Sequence, residues 1–513
     1  MNTQSRLYNS IKNLIMGTGN QLFVLLLTFI SRTIFIKILG EEFLGINGLY
    51  TNILTVLSLA ELGLGNVMLY SLYKPILEKN EEKICALLNY YKKLYMIIAC
   101  SVFLIGICIL PILDKIVNTN LPIENLKIYY ILFLMNSVFS YVNIYKASLI
   151  NADQKVYLIK TYTSIFLLIQ NILQIILLIV TKNYYLYLIL QVIFTLLTNI
   201  VIGKKADKLY PFIYQNYKLE TKEKKNIFKN MRSMLLYKIG AVVMNNTDNI
   251  LISMIVGTVY VGYYSNYSMI ISAITNIILV VITAVSPSVG NLNATKDNEK
   301  KYKIFNMLLM IFNWITAFCA ICCFAVINNF IKIWVGENYL LDNNIVIVII
   351  LNFYLANIIN PVWMYRETLG LFNKIKYIMI ICAIINIGLS ILLGQFLGIY
   401  GILLATLISK VITIVWYEPK ILYSNIFKMN MKEYFKKQFK YIYLFAIATI
   451  ISIILCGFIK ENGIVTIIIK LFICTIVVNA VFYLVCKKTE EFRELKNRIG
   501  KKLVKNRKDE GGI

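Results

Sequence analysis

Residues 22–57 read LFVLLLTFISRTIFIKILGEEFLGINGLYTNILTVL, which is two long apolar runs joined by a short turn around Gly40. The first run carries only two charges, Arg32 and Lys37. About 20 mainly apolar residues suffice for an α-helix to cross the hydrocarbon core of a bilayer. Two such runs with so short a connection predict a transmembrane helical hairpin, and similar runs recur along the chain.

The composition favours lipid as the solvent for most of the chain. Its 513 residues are 59% hydrophobic and only 15% charged, whereas a soluble domain carries about 25% charged residues. So much apolar surface cannot be hidden inside a water-soluble core of this size. We therefore predict an all-α integral membrane protein.

The apolar runs predict about fourteen transmembrane helices, and the split between the eleventh and the twelfth rests on Gly394 and Gly398. The spans are 14–39, 44–72, 94–113, 126–150, 156–181, 184–203, 230–256, 260–289, 304–330, 343–366, 375–397, 399–418, 441–459 and 463–486.

The positive charge sorts to one side of these spans. With a cytoplasmic N-terminus, the inner segments and the span ends that border them hold 42 of the 52 Lys and Arg residues. Lysine and arginine accumulate in the cytoplasmic loops of membrane proteins, so we expect both termini in the cytoplasm and a multi-pass protein of the plasma membrane. This bias accounts for the net charge of +26, and no nucleic-acid partner is needed to explain it.

An internal repeat relates the two halves of the chain. A shift of 217 residues aligns the first two spans with the seventh and eighth, and residues 12–53 then share seven identities with 229–270. Gly40 aligns with Gly257 and Gly45 with Gly262, at the same outer turn. Each copy has an even number of spans, so the copies would be parallel repeats. Two hairpins with independently similar turns are the alternative.

The repeat predicts two parallel six-helix bundles followed by a helix pair. The predicted segments are an N-terminal bundle at 1–203, a basic cytoplasmic linker at 204–229, a second bundle at 230–418, helices 13 and 14 at 419–486 and a basic cytoplasmic tail at 487–513.

Charged residues inside spans are costly and mark functional sites by default. The candidates are Arg32, Glu61, Lys238, Asp248 and Lys410. Under the repeat, Arg32 aligns with Asn249, one residue after Asp248, so we predict that Arg32 and Asp248 face one another as a pair or a gate. A static structural ion pair is the alternative, because pairing lowers the desolvation cost of both charges.

Polar residues near Asp248 could line a hydrated cavity. Asn245 and Asn249 flank it, and Tyr267 follows the next turn. Amides suit sugar hydroxyls because they both donate and accept hydrogen bonds. An interfacial tyrosine belt and helix–helix hydrogen bonds are the alternative.

The residue inventory argues against an enzyme. There is no histidine, which excludes histidine-dependent acyl transfer and metal chemistry, and no glycine-rich phosphate loop of the Walker type. The ten cysteines show no zinc-type spacing. We expect neither a metal nor a cofactor, and transport is the function class that remains.

Two stretches resemble the polysaccharide-transporter branch of the multidrug/oligosaccharidyl-lipid/polysaccharide (MOP) exporter superfamily. They are SRTIFIKILGEEFLGINGLYTNILTVLSLAELGLG at 31–65, with YSLYKP at 70–75, and TDNILISMIVGTVYVGYYSNYSMI at 247–270. The resemblance implies a Wzx-type flippase that moves a polyprenyl-pyrophosphate-linked oligosaccharide from the inner to the outer leaflet, and it implies membrane lipid, a polysaccharide polymerase and glycosyltransferases as partners.

The resemblance also suggests roles for the candidate residues. Cleft cations in this family are thought to meet pyrophosphate or acidic sugars, a role for Arg32, Lys238 and Lys410, while Asp248 and Glu61 would serve gating or ion coupling. Asn245, Asn249 and Tyr267 would line the substrate cavity. A cation-coupled multidrug exporter like those of the MATE group is the alternative function, and a non-transporting scaffold for glycan assembly is a third.

Overall fold

The computed structural model describes residues 24–58, 64–293, 297–369, 371–459 and 463–498. This part of the chain is almost entirely helical and contains no β-strand. The chain divides into two compact units, Met1–Ser265 and Asn266–Ile513, here called unit 1 and unit 2. The prediction of an all-α protein is confirmed.

Unit 1 contains ten helices and the start of an eleventh within its described residues. They are α1 (24–39), α2 (Glu41–Leu57), α3 (Leu64–Leu77), α4 (Glu81–Ile109), α5 (Leu113–Ile116), α6 (Ile123–Ser140), α7 (Ile144–Ala152), α8 (Val156–Thr181), α9 (Tyr184–Leu209), α10 (Thr221–Ile255) and the first residues of α11 (Thr258–Asn293).

Unit 2 contains the remainder of α11 and eight further helices in its described residues. They are α12 (Asn298–Trp334), α13 (Asn343–Ile358), α14 (Asn360–Thr368), α15 (Phe372–Ile412), α16 (Ile414–Leu422), α17 (Lys432–Gly457), α18 (Ile464–Cys486) and α19 (490–498).

Polar residues mark where several of these helices begin. The side chain of Asn80 accepts a hydrogen bond from the Lys83 amide at the start of α4, and Asp297 accepts one from the Lys300 amide at the start of α12. Asn183 caps α9 in the same way. Such caps satisfy the amides that the first turn of a helix leaves without intrahelical partners.

The lengths and hydropathy of the helices are those of a multi-pass membrane protein. In the described part of the chain, nine helices are long and apolar enough to cross a membrane, or ten if one bent pair counts as a single span. The apolar window of Val156–Thr181 is only 11% buried, against 72% for Asn343–Thr368. The unburied apolar side chains of α8 require lipid around them.

The predicted span 126–150 is bent. It forms α6 and α7, which meet at 43°, and Asn143 between them has a φ of 59°. The amide of Asn199 on α9 donates to the carbonyl oxygens of Phe139 and Ser140 at 3.1 and 3.2 Å. The Phe139 carbonyl also accepts from the Val142 amide at 3.1 Å. Asn199 thus supplies the bend with side-chain hydrogen bonds from another helix, as a break at membrane depth requires.

The predicted split between the eleventh and twelfth spans is confirmed at Gly398. Its φ of 58° and ψ of −139° interrupt α15, a conformation that glycine adopts without strain. Three residues later, a Cβ added at Gly401 would lie 2.1 Å from the carbonyl oxygen of Leu393, so the two arms pack tightly. The predicted span 399–418 ends earlier, because the chain breaks again at Thr413 before α16.

The final helix pair is attached to α12 by hydrogen-bonded amides and stacked rings. Asn313 of α12 and Gln438 of α17 exchange amide hydrogen bonds of 3.3 and 3.0 Å. Trp314 donates to Asn479 of α18 at 3.0 Å and stacks on Phe482. Polar contacts of this kind hold transmembrane helices together where the hydrophobic effect cannot.

A buried ion pair joins α14 to α16 in unit 2. The guanidinium of Arg366 donates to both carboxylate oxygens of Glu418, at 3.0 and 2.8 Å. The two side chains are only 4% and 1% exposed, and the ring of Trp363 lies 5.6 Å from the guanidinium carbon. The Nη1 nitrogen of Arg366 makes both of these bonds, and the contact offsets part of the cost of burying both charges.

The segment predicted as a linker, 204–229, is largely ordered by α4. Helix α9 continues to Leu209 and α10 begins at Thr221. Between them, Asn89 of α4 donates to the Gln215 carbonyl at 3.0 Å, and the Cys85 thiol donates to the Phe212 carbonyl. The compact units divide later, within α11, and the predicted domain boundaries, including the tail at 487–513, remain a prediction.

Candidate functional site

A cavity of about 240 Å³ lies within unit 1 among α1, α2, α8 and α9. Each helix presents side chains spaced three or four residues apart, which lie on one helical face. The lining residues are Thr28, Ser31, Arg32 and Phe35 of α1, Leu44 and Asn47 of α2, Leu167, Gln170, Asn171 and Gln174 of α8, and Tyr187 and Gln191 of α9.

The lining of this cavity is rich in amides. Gln174 is 2% exposed and Asn171 is 8% exposed, so the polar face of α8 points away from lipid. Gln170 donates to Gln174 at 3.3 Å, and Gln174 donates to the Tyr187 carbonyl at 3.0 Å. Buried amides without such partners would destabilise the fold, so this network holds α8 and α9 in register around the cavity.

Aromatic rings close one side of the cavity. The ring of Phe35 meets those of Tyr187 and Tyr184 edge-on, with centroids 5.3 and 5.7 Å apart. The Tyr187 hydroxyl is hydrogen-bonded to Ser31 of α1. The wall therefore combines apolar ring faces with a hydroxyl that is tied to the same helix as Arg32.

Arg32 is the cation of this cavity. Its side chain is half-buried, and its guanidinium donates to the hydroxyl of Ser265 at the start of α11. That hydroxyl donates in turn to the Gly262 carbonyl at 2.7 Å. A charge at this depth in a span is expensive and marks a functional site, and no Asp or Glu is among the lining residues that the structure describes.

The structure places Asp248 on α10 with 7% of its surface exposed. The side-chain amide oxygen of its neighbour Asn249 is buried and has no hydrogen-bond partner among the described residues. An unsatisfied buried acceptor of this kind is a place where a substrate or water can bind. The predicted pairing of Asp248 with Arg32 remains a prediction.

Tyr267 and Lys410 lie in unit 2. Tyr267 is fully buried, and its hydroxyl donates to Asn328 at 2.7 Å and accepts from the Leu341 amide at 2.9 Å. Its repeat counterpart Tyr50, also fully buried, donates to the Leu126 carbonyl at 3.0 Å. Both tyrosines are thus buried and held by their hydroxyls, although by different groups, and a role of Tyr267 and Lys410 in substrate binding stays a prediction.

Three of the predicted residues are outside the described part of the chain. Glu61 lies in the gap at 59–63, and the side chains of Lys238 and Asn245 on α10 are likewise not described.

The sequence argument missed the amides of α8 and α9. Gln170, Asn171 and Gln174 interrupt an otherwise apolar span, and Gln191 interrupts the next. Their spacing on one helical face was the available signal. The prediction started from charged residues inside spans and added only the uncharged polar residues near Asp248, so it did not include those of α8 and α9.

A second feature of unit 1 is the contact between the two turns that the internal repeat relates, before α2 and before α11. A Cβ added at Gly45 would lie 2.0 Å from the Thr258 carbonyl oxygen, and one added at Gly262 would lie 2.8 Å from the Glu41 carbonyl oxygen. Gly45 and Gly262 are 217 residues apart, as are Glu41 and Thr258. The same glycine-to-carbonyl contact is therefore made twice, related by the internal repeat.

Hydrogen bonds surround this contact between the two turns. The Tyr263 hydroxyl donates to the Glu41 carboxylate at 2.9 Å, and the Glu42 carboxylate accepts from the Thr119 hydroxyl and from the Asn120 amide. The Thr258 amide donates to the Asn118 carbonyl at 2.9 Å. The turns are thus fastened both to each other and to the segment before α6.

Comparison with solved structures identifies the class of fold. The lipid II flippase MurJ in an inward closed conformation matches with a TM-score of 0.66 and 15% identity, over 94% of this chain and 99% of that one. An inward-facing MATE transporter of the MOP superfamily matches with a TM-score of 0.62 and 14% identity, over 78% and 94%. The bent form of the Vibrio cholerae MATE transporter VcmN matches with a TM-score of 0.53 and 14% identity, over 83% of this chain and 98% of that one.

The fold is thus that of the MOP transporters, as the sequence resemblance predicted. The chain belongs to the family described as polysaccharide biosynthesis protein, whose model matches residues 10–293. No curated protein matches the chain. Among the described residues, no group of three or more His, Cys, Asp or Glu side chains is placed to hold a metal ion.

Proposed function

We propose that this protein is a flippase that moves a polyprenyl-pyrophosphate-linked oligosaccharide from the cytoplasmic to the outer leaflet for surface polysaccharide synthesis. The observation that carries the proposal is the half-buried Arg32 beside an amide-lined cavity in a unit whose outer surface is apolar. Membership of the polysaccharide biosynthesis family supports it.

The chemistry of such a substrate matches this arrangement. A guanidinium binds pyrophosphate oxygens through paired, charge-assisted hydrogen bonds, and Arg32 is placed to do so from the cavity wall. The oligosaccharide would stay in the polar interior while the polyprenyl tail remains in lipid. Further positive charge would come from Lys238 and Lys410. The headgroup would contact Asn245, Asn249 and Tyr267. Gating of the path, or its coupling to an ion, would depend on Asp248 and Glu61.

The proposed mechanism is alternating access with both termini in the cytoplasm. In that orientation, the paired turns at Gly45 and Gly262 lie on the outer side of the membrane. Their contact excludes even a methyl group, so it would seal the outer side while the substrate loads from the cytoplasm. Release would require the contact to open, and the two states would be populated according to what each binds.

The test is transbilayer movement of a fluorescent polyprenyl-pyrophosphate oligosaccharide in proteoliposomes. We expect Arg32→Ala to slow movement at least tenfold, because a lost hydrogen bond to a charged group costs about 1.5–3 kcal/mol. Arg32→Lys keeps the charge but loses the paired N–H donors of the guanidinium, so its rate of movement should lie between those of the wild-type protein and Arg32→Ala. Lys37→Ala is the matched control, since Lys37 is an exposed cation on the same helix. Wild-type movement by Arg32→Ala would refute this role.

The buried Asp248 favours a second candidate, a MATE-like exporter of cationic small molecules. A carboxylate in a span could bind the cation or couple its movement to a proton or sodium gradient. Efflux of a cationic dye under imposed gradients, abolished by Asp248→Asn, would support this function. Dye efflux without movement of the lipid-linked sugar would replace the flippase proposal, and movement of neither substrate would favour a scaffold.

A further inference from the structure

The cavity among α1, α2, α8 and α9 can be assigned a more specific ligand than the whole lipid-linked headgroup. We propose that it is a subsite for one neutral pyranose ring that carries hydroxyl and acylamino groups, and that it discriminates against acidic sugars. The inference rests on the proposed flippase function and names the part of the substrate that this cavity would bind.

The size of the cavity sets the first limit. Its volume of about 240 Å³ corresponds to roughly eight water molecules at their share of liquid volume. Pockets that enclose drug-sized ligands are typically about 300–1,000 Å³. The cavity therefore suits a single sugar ring, and the rest of an oligosaccharide would have to lie outside it.

The hydrogen-bonding groups set the second limit. Five amide side chains line the cavity, from Asn47, Gln170, Asn171, Gln174 and Gln191. Each amide offers two donors and one acceptor oxygen, which complements hydroxyl and acylamino groups that also do both. Gln170 uses one of its amide hydrogens to reach Gln174, so it retains donor and acceptor capacity toward a ligand.

The charges set the third limit. Arg32 is the single cation among the lining residues that the structure describes, and none of those residues is an Asp or a Glu. A phosphate of the substrate would engage that one guanidinium. A uronic acid in the cavity would then bury a second anion without a cation of its own, which is costly. The charges of the lining residues therefore favour a substrate with a neutral sugar ring next to one anionic group.

The walls of the cavity are held in place before a ligand arrives. Gln174 is bonded to the Tyr187 carbonyl, Asn171 to the Leu167 carbonyl and the Tyr187 hydroxyl to Ser31. The Tyr187 and Phe35 rings add an apolar side against which the C–H face of a sugar can pack. A preformed site avoids the entropy cost of ordering side chains on binding.

The experiment measures binding of free monosaccharides to the purified full-length protein by saturation-transfer NMR. The probes are N-acetylglucosamine, glucose and glucuronate at millimolar concentration, each with inorganic pyrophosphate present so that an anion already occupies the Arg32 guanidinium. We expect saturable transfer to the neutral sugars, stronger for the acylamino sugar, and none to glucuronate. Gln170→Leu and Gln191→Leu should each weaken binding about fivefold to tenfold, as expected for a lost hydrogen bond of about 1 kcal/mol. Circular dichroism and thermal unfolding confirm that each variant is folded.

Gln395→Leu is the matched control, because Gln395 is an exposed glutamine on α15 and does not line the cavity. It should bind the sugars as the wild-type protein does. Equal binding by all three variants, preference for glucuronate, or no binding of any monosaccharide would overturn the subsite. Failure of the flippase proposal is distinguishable, since the lipid-linked oligosaccharide would then not move although N-acetylglucosamine still bound and responded to Gln170→Leu.

Discussion

The contact between the repeated turns predicts a graded response to added methyl groups. In Gly45→Ala the new Cβ would lie 2.0 Å from the Thr258 carbonyl oxygen and 2.8 Å from its carbon, and Cβ contacts below 3.0 Å essentially do not occur. The backbone of α2 and that of Thr258 must therefore separate by at least 1.0 Å. Thr258 is itself tied to Asn118 and Ser253, so it cannot move without breaking other bonds.

Overpacking of this kind typically costs about 1–3 kcal/mol. Applied to the closed contact alone, that cost shifts the closed–open equilibrium by about fivefold to 150-fold. Gly262→Ala should have a smaller effect, because its Cβ would lie 2.8 Å from the Glu41 carbonyl oxygen. Gly48→Ala should be milder still, since its Cβ meets a side-chain carbon of Val261 at 3.3 Å.

The assay is the rate at which a membrane-impermeant maleimide labels Asn47→Cys from outside, in a background without the ten native cysteines. Asn47 lines the cavity two residues beyond Gly45, so opening of the turns should raise its labelling rate in the order Gly45→Ala, Gly262→Ala, Gly48→Ala. Gly388→Ala is the control, because a Cβ there meets nothing within 4 Å. Wild-type labelling in Gly45→Ala, or equal acceleration by Gly388→Ala, would refute the reasoning.

Three further predictions concern the packing of the units and are tested by thermal unfolding in detergent. Arg366→Ala leaves the Glu418 carboxylate buried without its cation and should destabilise unit 2 by about 3–5 kcal/mol. The double variant Arg366→Met, Glu418→Met should recover most of that stability. An absence of recovery would contradict the argument that desolvation of the unpaired carboxylate causes the loss. Gln438→Leu breaks the amide pair with Asn313 and should cost about 0.6–1.7 kcal/mol, whereas a larger loss would indicate that the final helix pair detaches. Asn199→Leu removes the amide that donates to the Phe139 and Ser140 carbonyls at the α6–α7 bend and should cost about 1–3 kcal/mol. An unchanged unfolding temperature would show that the bend does not need these bonds.

Most of the architecture follows from the sequence, because a bilayer leaves a chain few options. Backbone groups in lipid must be satisfied internally, so long apolar runs become helices. The split at Gly398 could be predicted for the same kind of local reason, since glycine accepts its combination of φ 58° and ψ −139° without strain. The bend at Asn143 could not, because it depends on side-chain hydrogen bonds from Asn199 on another helix.

The candidate site likewise has features that the sequence predicts and features that depend on the tertiary structure. Arg32 was identifiable from the sequence alone, since a charge within an apolar run has no inexpensive structural explanation. The partner that the structure gives it, Ser265, lies 233 residues away, and no local pattern connects them. The aligned glycines of the two turns were visible as a repeat, but their direct contact depends on how the turns meet.

The amide cavity shows what only the tertiary structure decided. The sequence determines that Gln170, Asn171 and Gln174 share one face of α8, because helical periodicity alone requires it. It does not determine whether that face meets a neighbouring helix or lines a cavity, since lipid tails are as apolar as leucine and hydropathy does not separate a lipid-facing surface from a protein core. Tertiary packing turned this face toward Arg32 and Tyr187.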